Sequence, residues 1–160
     1  MSFAKLFKKN IRKPAKKYIQ KWRRSATKRV SKPFNPVRAH ALGYRAKQGF
    51  VIVQGRMRKG GRHRPKPDKG RNPGNMGLVH FTPHMLRQRI LEGRVAKHFP
   101  NLEVLNSYKI GEDGQYHYYE VILIDPNHPQ IAKNKKYAFL QRSHGRAHRG
   151  LTSAGKKSRS

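Results

Sequence analysis

Leu102-Glu-Val-Leu-Asn-Ser-Tyr-Lys-Ile-Gly-Glu-Asp-Gly-Gln-Tyr-His-Tyr-Tyr-Glu-Val-Ile-Leu-Ile124 decides the fold class. Both halves are rich in aromatic and β-branched residues, and Asp113-Gly114 between them is the strongest short hairpin signal. Leu102–Ile110 therefore reads as one strand and Gln115–Ile124 as its antiparallel return. Asp125-Pro126-Asn127-His128-Pro129 stops the second strand, and a short helix is expected over 129–136. Upstream, Met85, Leu86, Ile90, Leu91, Val95 and Phe99 recur on one broad helical face. Thr82 is the expected N-cap, Pro83 the first helical residue and Pro100 the stop, with Gly93 a weak point inside. Gly49 to Arg58, with the apolar run Phe50–Val53, reads as a buried strand. Strand, loop, helix and hairpin make an α+β core with a small, mainly antiparallel sheet and packed helices.

Around this core the sequence is basic. Residues 1–30 place Leu6, Phe7 and Ile11, then Tyr18, Ile19 and Trp22, at helical spacings, with Pro14 between the two groups and Lys and Arg opposite. Residues 31–43, with two prolines, read as an extended linker. Residues 59–77 have no periodicity and are dominated by Gly, Pro and basic residues. They read as an arm that orders on its ligand. Residues 141–160 read as a polar, basic tail. The expected organisation is a basic helical extension and linker at 1–43, a core at 44–136 with the loop 59–77 inserted, and a basic C-terminal tail at 137–160.

The charge states the partner. In 160 residues, 38 Lys and Arg face 7 Asp and Glu, for a net charge of +31. Such a chain repels itself unless a polyanion neutralises it. The imbalance is uneven. The window 92–125 holds six acids against three bases, a net of −3, while the rest of the chain holds 35 bases and one acid, Asp68. A polyanion-binding part and an acidic part facing solvent or a basic protein neighbour are expected. With no cysteine, disulfides and thiolate chemistry are excluded. No apolar run approaches the ~20 residues of a membrane helix, and no apolar signal region follows the N-terminus. The basic amphipathic N-terminal segment is also compatible with a membrane surface, but the many basic residues downstream favour nucleic acid.

Sites of chemistry are sparse. His80/His84 and His144/His148 have i, i+4 spacing, but Pro83 breaks the first pair's helix and the second lies in a Gly-rich tail without carboxylates. No metal is therefore expected. His117 and Glu120 fall on opposite sides of one strand. Gly60-Gly61 and Gly70–Gly77 fit no phosphate-loop fingerprint. Neither a catalytic group, a cofactor nor a small-molecule substrate is expected. Arms of this kind suit a large folded RNA, met through phosphates and shape. Tyr18, Trp22, Phe34, Tyr44 and Phe81 sit beside basic residues and read either as base-stacking or as core residues. A histone-like DNA compactor is the alternative, and the acidic hairpin argues against it.

Several strings resemble ribosomal protein 15e, a large-subunit protein of archaeal and eukaryotic ribosomes. They are Leu42-Gly-Tyr-Arg-Ala-Lys-Gln-Gly-Phe-Val-Ile-Val53, Phe99-Pro-Asn-Leu-Glu-Val-Leu-Asn-Ser-Tyr108, Glu120-Val-Ile-Leu-Ile-Asp-Pro-Asn-His-Pro129, Lys17-Tyr-Ile-Gln-Lys-Trp22 and Arg149-Gly-Leu-Thr-Ser-Ala-Gly-Lys-Lys-Ser-Arg159. The resemblance implies a structural, non-enzymatic component of the cytoplasmic ribosome that binds large-subunit rRNA beside neighbouring ribosomal proteins. Pro36-Val-Arg-Ala-His-Ala41 departs from the family's usual pattern, and the family usually continues past the position of Arg159. The candidate RNA-binding residues are Lys16, Lys17, Arg23, Arg24, Arg38, Tyr44, Arg45, Lys47, Arg56, Arg58, Lys59, Arg62, His63, Arg64, Lys66, Lys69, Arg71, Arg87, Arg146, Arg149, Lys156 and Lys157. Of these, Arg56, Arg58, Arg62 and Arg64 are expected on phosphate.

Overall fold

The structure, a computed structural model, describes residues 16–61, 68–70 and 83–159. Its elements are α1 (Lys16–Arg23), β1 (Thr27–Val30), α2 (Pro36–Ala41), β2 (Phe50–Arg58), α3 (Arg87–His98), β3 (Glu103–Glu112), β4 (Tyr116–Ile124), α4 (Pro129–Ala132), a 3-10 turn (Ala138–Arg142) and α5 (Ser153–Lys157). The four strands form one sheet in the order β1-β2-β4-β3, with every neighbouring pair antiparallel. The expected α+β class with a small antiparallel sheet is what the chain adopts.

The hairpin is the centre of the sheet. Asp113 turns it by accepting the backbone N–H groups of Gln115 and Tyr116 at 2.7 and 2.6 Å. Two irregularities in β3, between Val104 and Asn106 and between Lys109 and Gly111, bend it around β4. β4 is buried from Tyr118 to Ile124, because helices and loops cover both faces of the sheet. On one face Ile52, Tyr108, Ile122 and Ile124 pack with Ala39 of α2, Ile131 of α4 and Leu140 of the 3-10 turn. On the other, Val53, Tyr119, Val121 and Leu123 pack with Leu91 and Val95 of α3 and with Ala147. The Val, Leu and Ile side chains buried this fully contribute roughly 1.5–3 kcal/mol each. α3 lies so close to β2 that a Cβ at Gly55 would stand 2.7 Å from Leu91 Cδ1.

Several expectations need correction. The segment 31–43 is not simply extended. Asn35 caps α2 by accepting the Arg38 N–H at 3.0 Å, and Pro36 occupies the first turn. β1 pairs along β2, from Thr27 opposite Gly55 to Val30 opposite Ile52, because β2 would otherwise present an open edge. α3 starts at Arg87 rather than at Pro83, and Thr82 lies outside the described residues. Met85 and Leu86 consequently stand outside the helix and are exposed. The Leu86 N–H donates to Ser158 Oγ at 3.1 Å, so the C-terminal segment shapes this helix entry. The tail at 141–160 is not a loose arm. Ala147, Thr152 and Ala154 are buried, and α5 contacts α3 and β3. Most of the loop 59–77, and the stretch 1–15 with Leu6, Phe7, Ile11 and Pro14, lie outside the described residues.

Candidate nucleic-acid interface

A charged surface is defined by what its charges already hold, so the acids come first. Glu120 on β4 is fully buried. Its two oxygens accept the Phe34 N–H at 3.0 and 3.1 Å, the Gln54 amide at 2.8 Å and the Tyr108 hydroxyl. Burial pushes this carboxyl up, against the pull of those donors. Glu92 on α3 is equally buried and accepts the Ser107 hydroxyl and, at 2.5 Å, the Thr152 hydroxyl. Burial pushes it up too, and the two hydroxyls oppose the shift. Glu103 accepts the N–H groups of Gly145 and Arg146 at 2.8 and 3.3 Å, and Asp125 that of Asn127. Glu92, Glu103 and Glu120 are spent on neutral donors that tie the segments flanking the core to the sheet, whereas Asp125 closes a local turn.

Asp113 and Glu112 do meet cations. Arg23 Nε stands 2.7 Å from Asp113 Oδ2, which also accepts the Tyr118 hydroxyl at 2.5 Å. Burial would raise this carboxyl, but the bonds from Tyr118, Arg23 and the backbone hold it well below the usual range. Burial and Asp113 push the Tyr118 hydroxyl up to about 12. Lys109 and Lys59 lie 2.6 and 3.3 Å from Glu112 and hold it down at about 2. The acidic window is therefore mostly turned inward and not the outward-facing surface its charge suggested, with Glu112 the one exposed acid in it. Among the described Lys and Arg, Lys157 aside, only Arg23, Lys59 and Lys109 come within ion-pair distance of a carboxylate.

The candidate residues separate accordingly. Arg56 donates to the Arg23 carbonyl and stacks 4.8 Å from the Tyr116 centroid. Arg87 donates to the Gly60 carbonyl at 2.7 Å. Arg45 donates to the Tyr44 carbonyl at 2.9 Å. Arg146 donates to the Val104 carbonyl at 3.2 Å and lies 5.0 Å from the Phe139 centroid. These guanidiniums hold the chain's own segments. Tyr44 is a core residue and not a stacking platform: it is buried, and its ring meets Phe50 and His40 edge-on. Lys16, Lys17, Arg24, Arg38, Lys47, Arg58, Lys69, Arg149, Lys156 and Lys157 are exposed. Arg62, His63, Arg64, Lys66 and Arg71 lie outside the described residues.

Sequence reasoning passed over Lys21, Lys28, Arg29 and Lys32, which line a cavity between α1 and β1 together with Tyr18, Trp22 and Phe34. Their signal was present, since aromatic and basic residues alternate through 17–34, but the strand that gathers them is only four residues long. Trp22 is buried against Phe34 and Tyr118, whereas Tyr18 remains 42% exposed. No group of three or more His, Asp or Glu among the described residues is placed to hold a metal ion. No described helix is long and apolar enough to cross a membrane.

The described surface is thus mainly cationic, with Glu92 and Glu120 buried and Asp113 and Glu112 held by cations. Comparison with protein families gives the same chemistry a lineage: the family model described as Ribosomal L15 matches residues 3–160.

Proposed function

Because the chain belongs to the ribosomal protein 15e family, a structural and non-enzymatic component of the large ribosomal subunit, we propose that it stabilises folded large-subunit rRNA by neutralising phosphates with its basic segments. The observation that carries this reading is the ion-pair inventory. Among the described Lys and Arg, Lys157 aside, only Arg23, Lys59 and Lys109 pair with a carboxylate. A surface left so unneutralised needs a polyanion. Each Lys or Arg on a phosphate releases counterions, so binding weakens steeply with salt. Such contacts position the protein without reading sequence.

Exposed residues on the elements that flank the core supply the contacts: Lys16, Lys17 and Arg24 at α1, Arg38 and Lys47 beside α2, Arg58 at the end of β2, and Arg149, Lys156 and Lys157 around α5. The segments outside the described residues add Arg62, His63, Arg64, Lys66 and Arg71. Neighbouring ribosomal proteins meet what the RNA leaves uncovered. Competition at moderate salt tests the reading. A structured large-subunit rRNA fragment is expected to displace labelled rRNA from the protein far better than a DNA duplex of equal phosphate count. Equal displacement by DNA would favour a DNA compactor instead.

A further inference from the structure

The cavity between α1 and β1 has a volume of about 360 Å³. Its walls include the rings of Tyr18, Trp22 and Phe34 and the side chains of Lys21, Arg29 and Lys32. Trp22 and Phe34 meet edge to face with centroids 5.1 Å apart, and Tyr18 meets Phe34 edge-on at 5.7 Å. Packing thus fixes the two inner rings, while Tyr18 keeps a solvent-facing surface. The Lys17 ammonium stands 5.5 Å from the Tyr18 centroid. Lys28 adds a fourth cation to the lining, and no carboxylate is part of it. Two acids lie near this cavity, and both are already held: Glu120 by Phe34, Gln54 and Tyr108, and Asp113 by Arg23, Tyr118 and the backbone of its turn.

We propose that this cavity takes a single unpaired nucleotide of the RNA, its base against Tyr18 and its phosphate among Lys21, Lys28, Arg29 and Lys32. The inference rests on the rRNA-binding reading and goes beyond phosphate neutralisation. Three features select the occupant. Four lining cations without an acid select an anion. An exposed aromatic wall selects a group with a π face. The volume is at the lower end of the roughly 300–1,000 Å³ typical of small-ligand sites, which suits one nucleotide and excludes a duplex. A base within a helix keeps its faces stacked, so only a splayed nucleotide can enter. Stacking of this kind tolerates any base, and the site therefore recognises strandedness and not sequence.

Trp22 is the only tryptophan in the chain, so its emission reports on this cavity and on the seating of α1 that forms its wall. The full-length protein is titrated with a single-stranded RNA pentamer, and separately with an RNA duplex of equal phosphate count. The pentamer is expected to change Trp22 emission and the duplex to leave it unchanged. Tyr18→Ala is expected to weaken pentamer binding about 5- to 140-fold with the salt slope unchanged, and Tyr18→Phe to restore it. Lys21→Ala with Arg29→Ala is expected to flatten the log affinity against log salt slope by about 1.4. Tyr18 is exposed, so its loss does not remove a core side chain. Suppose structured rRNA still binds while the pentamer leaves Trp22 emission unchanged and Tyr18→Ala is neutral. The cavity inference is then overturned and the rRNA reading stands. Displacement of the pentamer by a poly-glutamate peptide of equal charge would also overturn it, since the aromatic wall would then contribute nothing. Failure to bind structured rRNA at all would overturn both.

Discussion

Glu92 and Glu120 are fully buried in a chain of net charge +31, yet among the described residues neither pairs with a lysine or arginine. Both are held by hydroxyl and amide donors, and burial raises both carboxyls. A raised folded value has a definite consequence. The contribution of Glu92 to stability is present in full below its ordinary value of 4.5 and is lost as pH rises through the folded value. Glu92→Gln removes this titration and keeps a similar shape. Wild-type stability measured relative to Glu92→Gln by urea melts is therefore expected to fall as pH is raised from about 4.5, then level off. Glu112, whose carboxyl is lowered by Lys109 and Lys59, acts in the opposite sense, its contribution being lost as pH falls toward about 2. It is common to both proteins and cancels in the comparison. A wild-type advantage that grows with pH would mean that the buried carboxylate prefers to be charged.

At the scale of the element, α1 and α5 are short helices docked by a few specific contacts each. α5 begins at Thr152, whose hydroxyl accepts the Gly155 N–H at 3.0 Å and donates to Glu92. A Cβ at Gly155 would lie 2.5 Å from the Gly150 backbone, which has no flexible end to move aside. Gly155→Ala is therefore expected to cost about 1–3 kcal/mol, read as a lower urea midpoint. Earlier proteolysis after Arg149 is expected with it. At the other end, Asp113 joins the hairpin turn to α1 through Arg23. Asp113→Ala is expected to free α1 and shift Trp22 emission to the red, as the ring loses its seat against Phe34 and Tyr118. Unchanged emission would show that aromatic packing alone seats the helix.

These elements also mark how far the sequence could be read. β2, β3, β4 and the hairpin turn were legible because Asp113-Gly114 and the apolar runs are local signals. β1 was not, since Thr27-Lys-Arg-Val30 has two exposed cations and is a strand only because β2 offers an edge. α5 was hidden because its burial comes from one threonine, one alanine and a glycine pair, none of which has an apolar period. Tyr44, beside Arg45 and Lys47, read either as a base platform or as a core residue, and no local signal chose between them. The α2 turn carries it inward, with its N–H on the Ala39 carbonyl at 2.9 Å. Of the candidate site, the exposed lysines and arginines were legible as charge. That Arg23, Arg56, Arg87 and Arg146 hold the chain to itself was not, because their partners are mostly backbone carbonyls distant in sequence.

At the scale of the whole molecule, the basic residues form two populations. One closes the fold by pairing with Asp113 and Glu112 or by capping carbonyls. The other stands exposed on the elements around the core, and on this account it holds RNA. The populations are separable because their losses are read by different instruments. Filter-binding titrations of a structured large-subunit rRNA fragment over a range of salt, run beside thermal melts of the free protein, test the division most directly. Combined replacement of Arg24, Arg38, Arg58 and Arg149 by Ala is expected to flatten the log affinity against log salt slope by about three, at 0.7–0.9 per lost contact, with the melt unchanged. Combined replacement of Arg23 and Arg56 by Ala is expected to lower the melting temperature first. A salt slope untouched by the loss of the four exposed arginines would contradict the account.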